Sequence, residues 1–273
     1  MTDRGAPGDL ARVSEHLATR VYGRSLDVRA STSSTNDDAR EAASRGAPRG
    51  HVVVADAQTA GRGARGRTWA SPPGTDLYVS IVERPDLTPR ELAAITLAVG
   101  LGVRDACAAV LAQRGGTARV DVKWPNDVRI DGLKCAGVLV ESSSVGDALG
   151  PVILGIGLDV NRTTWPDDLR GIATSLAAHV GPLDRARVLA TLLRCVEARV
   201  ESLVRDGAPA TIAALRPHLA MVGEEVEIDG VPARLEGLDD DGALRVRCDG
   251  RSVRVTSGVL RARSAAGPGA IRD

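Results

Sequence analysis

Lys123-Trp124-Pro125-Asn126-Asp127 sets one of two lysines, one of three tryptophans and one of three asparagines side by side. The other 33 basic residues are arginine, so a lysine that arginine has not replaced marks a need for a compact point charge on a flexible stem. Pro125 ends a strand and forces a turn, which holds the ammonium at a rigid strand end. A second segment, Gly61-Arg62-Gly63-Ala64-Arg65-Gly66-Arg67-Thr68-Trp69, interleaves glycines with guanidinium groups. Glycines expose backbone N–H groups, and planar arginine forks match carboxylate or phosphate oxygens, so this loop suits an anionic ligand. Glycine and arginine are each about a tenth of the chain, with 30 Gly and 33 Arg in 273 residues, so composition alone explains much of this loop and the lysine segment is the stronger witness. The loop is neither a phosphate loop, which needs Gly-Lys-Ser/Thr, nor a dinucleotide-binding fingerprint.

Lys134 leads Cys135-Ala136-Gly137-Val138-Leu139-Val140-Glu141, and Gly155-Ile156-Gly157-Leu158-Asp159-Val160-Asn161 follows it. The small residues of both strands permit close approach of backbone or ligand, although tight sheet packing explains each alone equally well. The chain holds two Lys, three Asn, two Gln and three Trp, and eight of these ten lie in segments 34–36, 58–69, 123–127, 134–141 and 155–161. Only Gln113 and Trp165 fall outside. That concentration points to one shared site.

The elements that position these segments follow from composition and periodicity. There is no Phe and only five aromatic residues, yet 43% of the chain is hydrophobic, so the core is aliphatic. Acidic and basic residues balance, 35 against 35, which removes the basic excess of a general nucleic-acid binder. No run approaches the roughly 18 apolar residues of a membrane span, and the N-terminus lacks the apolar region of a secretory signal. Cys107, Cys135, Cys195 and Cys248 lack Cys-x-x-Cys spacing and read as buried small hydrophobes in a reducing cytoplasm. Residues 1–25 read as a loose arm with at most one helix. A short helix follows Ser34-Thr35-Asn36, strands are predicted over 51–56 and 77–82, and a helix opening with proline over 89–113. Three extended pieces follow, the last two joined by an Asp131-Gly132 hairpin turn, then a strand over 151–161 and two helices over 184–219. From about 220, short alternating strands between Gly/Asp turns predict a small SH3-like β-barrel. The expected architecture is α+β: an arm (1–25), a β-rich domain (26–219), the small β-domain (220–265) and a tail (266–273).

In this order the segments resemble the biotin–protein ligase family. Ser34-Thr35-Asn36 matches the Ser-Thr-Asn that opens the family's catalytic domain, and Gln58 with Thr59-Ala60-Gly61-Arg62-Gly63 matches its glycine-arginine loop. Lys123 to Asp127 matches its Lys-Trp-Pro-Asn-Asp. Lys134 to Glu141 and Gly155 to Asn161 match its two glycine-bearing strands, and Ala173-Thr174-Ser175-Leu176 also fits. Three departures stand out: Ala64 where a second loop arginine is usual, Cys135 for Leu or Ile, and Asp159 for Asn. An N-terminal arm of about 30 residues is too short for the winged helix-turn-helix of repressor-type members, so a monofunctional ligase is expected.

The resemblance implies the class II synthetase-like biotin/lipoate ligase fold, a mixed β-sheet flanked by helices with the small barrel attached. It also implies a reaction in two steps. The biotin carboxylate attacks the α-phosphate of ATP, and a lysine of a biotin carboxyl carrier protein or domain then attacks the mixed anhydride. Lys123, Arg62 and Arg67, with Mg²⁺ and assistance from Lys134, are the candidates for offsetting charge in the first step. Ser34, Thr35, Asn36 and Gln58 suit the neutral ureido ring, with Gly61, Gly63 and Ala64 in the same loop and Gly137 admitting the ring closely. Arg65, Arg67, Trp69 (a flat face for adenine), Asn126, Lys134 and Asp159 are the candidates for ATP, and Asp127 for the metal. The loop over 60–75 is expected to be mobile without ligand, lacking an apolar anchor. No specific DNA and no membrane partner are expected. A lipoate–protein ligase of related fold and a non-catalytic biotin-binding protein stay as alternatives.

Overall fold

The computed structural model describes residues 7–88, 91–145 and 148–263. Seven strands build the main sheet: β1 (Leu26–Arg29), β2 (Val52–Ala55), β3 (Leu77–Glu83), β4 (Val120–Lys123), β5 (Asp127–Ile130), β6 (Leu133–Val145) and β7 (Ala148–Leu158). Their order is β1-β2-β3-β7-β6-β5-β4. The β1–β2 pair is parallel and every other pair antiparallel, so the sheet is mixed as expected. Both faces of the interior strand β3 are buried, which is why it reads as a nearly unbroken apolar run rather than an alternation.

Helix α2 (Thr35–Ser44) covers one face, with Ala39 and Ala43 against Val53, Val82 and Ile153. The other face packs on α3 (Leu92–Gln113) and α5 (Arg185–Leu215), which carry the larger aliphatic core. Burying each Val or Leu there contributes about 1.5–3 kcal/mol. The first two residues of the predicted 89–113 helix lie outside the described residues. α3 is also long and apolar enough, by length and composition, to cross a membrane, a feature that reading for uninterrupted runs passes over because Arg104 and Asp105 break the stretch; 72% of its most apolar window is buried in the protein. The two helices expected over 184–219 are both present within α5, meeting at the non-helical Gly207 (φ 80°) with Pro209 just beyond, and are closed by a 3-10 turn at Arg216–His218. A four-residue helix, α4 (Ala177–Val180), precedes them.

The loose arm expected over 1–25 is corrected for residues 7–25, residues 1–6 lying outside the described residues. α1 (Pro7–Ala11) and a 3-10 turn (Arg12–Glu15) bury Leu10 and Val13, and Tyr22 is fully buried as well. Asp9 pairs with the buried Arg185 at 2.8 Å, and the N–H groups of Arg20, Val21 and Tyr22 all donate to the Glu197 carboxylate. Gly, Pro and charge suggested a free segment, but here the charges are partners for α5.

The C-terminal strands β8 (Glu225–Ile228), β9 (Val231–Leu238), β10 (Leu244–Cys248), β11 (Arg251–Val255) and β12 (Leu260–Ala262) form an antiparallel sheet in the order β11-β10-β9-β8-β12, consistent with a small barrel-like unit. Asp229-Gly230 and Asp249-Gly250 make its turns, and Asp131-Gly132 makes the β5–β6 turn; all six residues have positive φ, the geometry that tightens a two-residue hairpin. The sheet shares its core with the rest of the molecule, because Val226, Leu235, Leu244 and Leu260 pack with Leu97 and Leu101 of α3 and with Val122 and Trp124.

Candidate active site

The main sheet, the glycine-arginine loop and the end of β12 enclose a cavity of about 740 Å³. Its lining includes Ser34, Thr35, Asn36, Gln58, Arg62, Gly63, Ala64, Arg67, Trp69, Lys123, Asn126, Asp127, Lys134, Gly137 and Asp159. Two residues singled out from sequence do not line it. Gly61 lies beneath the loop, where a β-carbon would fall 2.7 Å from Ser71 Oγ, so glycine is required there for packing. Arg65 turns away to pair with Asp229 of the C-terminal sheet at 3.2 Å.

At one end the cavity wall is made of neutral amides and hydroxyls, with the Glu141 carboxylate behind them. Gln58 Oε1 accepts from the Thr35 N–H at 2.9 Å, and Gln58 Nε2 donates to Ser71 Oγ at 3.0 Å. Asn36 Nδ2 donates to Glu141 Oε2 at 2.7 Å, while Ser80 Oγ lies 2.6 Å from Asn36 Oδ1. Ser71 and Ser80 were missed because serine is common in this chain and neither sits in a motif. Asn36 needs Gly155 beside it: a β-carbon there would fall 2.8 Å from Asn36 Nδ2.

The other end is charged. Lys134 Nζ lies 2.6 Å from Asp127 Oδ1, close as an ion pair though not aligned as a hydrogen bond, and Lys123 Nζ lies 3.9 Å from Asp127 Oδ2. Burial holds the Lys123 ammonium below the usual lysine range, with the charges of Lys134, Arg129 and Arg67 acting the same way against Asp127. Asp127 is thus engaged by two lysines rather than open to a metal, and among the described residues no group of three or more His, Cys, Asp or Glu side chains is placed to hold one. Asn126 Nδ2 donates to the Val138 carbonyl at 2.9 Å, which ties the turn to β6. Seven basic side chains and three carboxylates line the whole cavity. The net positive wall suits a polyanion.

The glycine-arginine loop is anchored, contrary to expectation. Trp69 lies on a shelf made by Gly137 and Gly157, where β-carbons would fall 2.9 Å from Trp69 Cζ3 and 2.6 Å from Trp69 Nε1. The Lys134 ammonium sits 5.1 Å from the ring centroid, within the range of a cation–π contact. Gly137, read as admitting a ligand ring, admits this indole. Arg62 forms a fork with Asp37 at 2.6 and 2.8 Å and also reaches Glu141 at 3.3 Å. The hydrogen bonds it donates to Asp37, then the charge of Glu141, raise its pKa further, so it stays charged. Arg67 is exposed at the rim and donates from Nε to the Ala64 carbonyl at 3.3 Å.

Sequence reading also missed Arg162 and Trp165. They line the cavity, with the guanidinium 4.9 Å from the Trp165 ring centroid. Arg162 follows Asn161 directly, yet one arginine among 33 carries no signal.

A mixed sheet with a polyanion-binding cavity, a neutral polar pocket beside it and an arginine-bearing loop across the mouth has the make-up of an acyl-activating ligase. Residues 28–159 match the Biotin/lipoate A/B protein ligase family. The chain is 36% identical over 270 residues to the biotin–[acetyl-CoA-carboxylase] ligase of Mycobacterium tuberculosis, covering 94% of this chain and 98% of that one. It is 34% identical over 247 residues to the bifunctional ligase/repressor of Bacillus subtilis, covering 87% of this chain and 74% of that protein. The biotin protein ligase of Aquifex aeolicus, solved in complex with biotin and ATP, superposes with a TM-score of 0.74 at 28% identity, over 88% of this chain and all of that one. The chain belongs to the biotin–protein ligase family.

Proposed function

We propose that the chain joins biotin to ATP as biotinyl-5′-AMP with release of pyrophosphate, then transfers the biotinyl group to a lysine of a biotin carboxyl carrier protein or domain. The observation that carries this reading is the split cavity, neutral and polar at one end and strongly cationic at the other. In the first step a carboxylate oxygen bonds to the α-phosphorus while the bond to pyrophosphate breaks. Two like charges 4 Å apart repel by about 4 kcal/mol at an effective dielectric of 20, so cations must offset that cost. Lys123 and Arg67 are the groups assigned here, with Lys134 beside them. Arg62 acts only by exchanging its carboxylate partners for the ligand. Mg²⁺ would arrive on the ATP polyphosphate and offset phosphate charge there; among the described residues no group of three or more His, Cys, Asp or Glu side chains is placed to hold it.

Ser34, Thr35, Asn36 and Gln58 form the wall for the ureido ring, and the hydrogen bonds of Thr35 with Gln58 and of Asn36 with Ser80 and Glu141 pre-organise it. Trp69 is the proposed platform for adenine, with Asn126 and Asp159 near the nucleotide. Arg65 is left out of the nucleotide contacts because Asp229 engages it. The catalytic unit over 26–219 and the small β-domain over 220–265 belong to the same proposal, as does a reducing cytoplasmic setting, supported by four unpaired cysteines.

Pyrophosphate release that requires both biotin and ATP tests the activity, and release with lipoate in place of biotin would favour the lipoate reading instead. Lys123→Arg is expected to slow adenylate formation about tenfold to a hundredfold, because a planar fork cannot replace a compact ammonium in this buried corner. An unchanged rate would remove Lys123 from the assigned charge compensation.

A further inference from the structure

Asp159 lines the cavity at 3% exposure, and its Oδ1 has no hydrogen-bond partner. The nearest cation is Arg162, whose Nη2 is 3.7 Å away. That guanidinium is already engaged. Asp76, fully buried, accepts from Arg162 Nε at 2.8 Å and lies 2.7 Å from its Nη2. It also takes the Val160 N–H at 3.0 Å and the hydroxyls of Thr75 and Tyr78 at 3.0 and 3.2 Å. Donors therefore converge on Asp76, whereas Asp159 Oδ1 receives none. Two carboxylates facing one guanidinium leave a surplus negative charge in a dry wall, and a proton on Asp159 removes it.

The other groups facing Asp159 do not supply a second cation of its own. The Lys134 ammonium is paired with Asp127 at 2.6 Å. The Cys135 thiol donates to the Asp159 backbone carbonyl at 3.4 Å, with the Cys107 thiol behind it. Tyr78 is turned to Asp76 and to the Pro72 carbonyl. Burial, then the charge of Asp76, push the Asp159 carboxyl well above the usual carboxylate range, against Arg162 and Lys134.

We propose that Asp159 binds substrate as a neutral acid whose O–H donates to an anionic oxygen of the nucleotide held in this cavity. The inference rests on the ligase reading and deepens it. A neutral carboxylic acid keeps one donor and one acceptor, the same kind of capacity that an asparagine has there, and it avoids setting a carboxylate against phosphate. An ionised Asp159 would instead have only acceptors.

The test compares the wild-type chain with Asp159→Asn and Asp159→Ala. Pyrophosphate release dependent on biotin and ATP is followed from about pH 6 to about pH 9, spanning the range between ordinary carboxyl and lysine values. Infrared difference spectra of the ligand-free proteins report the carbonyl stretch of a neutral carboxylic acid. Wild type is expected to lose rate toward alkaline pH and to show an acid band that the Asn variant lacks. Asp159→Asn is expected to hold its rate across the range and to exceed wild type at the alkaline end, while Asp159→Ala falls about tenfold or more throughout. An Asn variant that falls with the Ala variant, an Asn profile parallel to wild type, or a missing acid band would each overturn the proposal. If wild type releases no pyrophosphate with biotin and ATP, the ligase reading fails instead, and the infrared band still reports whether Asp159 holds its proton.

Discussion

Asn36 bonds across to Leu139 and Glu141, Asn126 pins the Val138 carbonyl, and Asn161 brackets Leu183 with both halves of its amide at 2.9 Å. An amide that donates and accepts at once is what these backbone ties need, and neither arginine nor alanine provides it. The departures from the family pattern are the residues with most to test. Ala64 lines the cavity while Arg65 is held by Asp229, so no neighbour replaces the missing arginine. Ala64→Arg is expected to slow release of biotinyl-AMP about tenfold or more, the worth of one hydrogen bond to a charged group; equal off-rates in wild type and variant would show that Ala64 costs nothing. Asp159 also bears on stability. The fold holds a proton there that the unfolded chain loses near pH 3.9, so native binding of protons exceeds unfolded binding above that pH and stability falls as pH rises. Asp159→Asn removes this loss, and its Tm advantage is expected to widen from about pH 4 to about pH 8. A gap that stays constant over that range would mean Asp159 titrates alike in both states.

Strands and turns were the legible elements, because alternation, valine-rich runs and Asp-Gly pairs act through local backbone geometry. The strand predicted over 151–161 stops at Leu158 for a reason that no local pattern carries: the Asp159 N–H still reaches the Cys135 carbonyl of β6, but the Val160 N–H turns to the Asp76 carboxylate. The state of the glycine-arginine loop was illegible for the same reason. Its anchor is Trp69 on a shelf contributed by two strands more than 60 residues away in the chain. Gly157→Ala tests that shelf. The added methyl group is expected to cost about 1–3 kcal/mol through overpacking, seen as a lower denaturant midpoint, and Trp69→Ala in the same chain is expected to restore most of it. Without that restoration, the indole is not what requires glycine.

Over the whole molecule, turn spacing and alternation disclosed a small β-unit but not how it attaches, since contacts between distant elements leave no periodic trace. Trp124 makes the attachment. It is 4% exposed, its Nε1 donates to the Gly242 carbonyl at 3.0 Å, and its ring lies in the core shared with the C-terminal sheet. Lys123 lines the cavity while its strand neighbour Val122 faces the same core as Trp124, because successive side chains of a strand point to opposite faces. Trp124→Phe is expected to cost about 1 kcal/mol by orphaning one buried carbonyl, and Trp124→Ala about 3–5 kcal/mol. Hydrogen exchange over 225–262 is expected to rise in the Ala variant; protection equal to wild type would mean that the sheet is held by its other contacts. The placement of the three indoles has a practical side. With no Phe and only two Tyr, near-ultraviolet emission comes almost wholly from Trp69 and Trp165, which line the cavity, and from Trp124, which is sealed in the core. An occupied cavity would therefore change two emitters and spare the third, giving the unlabelled chain a ligand signal alongside its own internal reference.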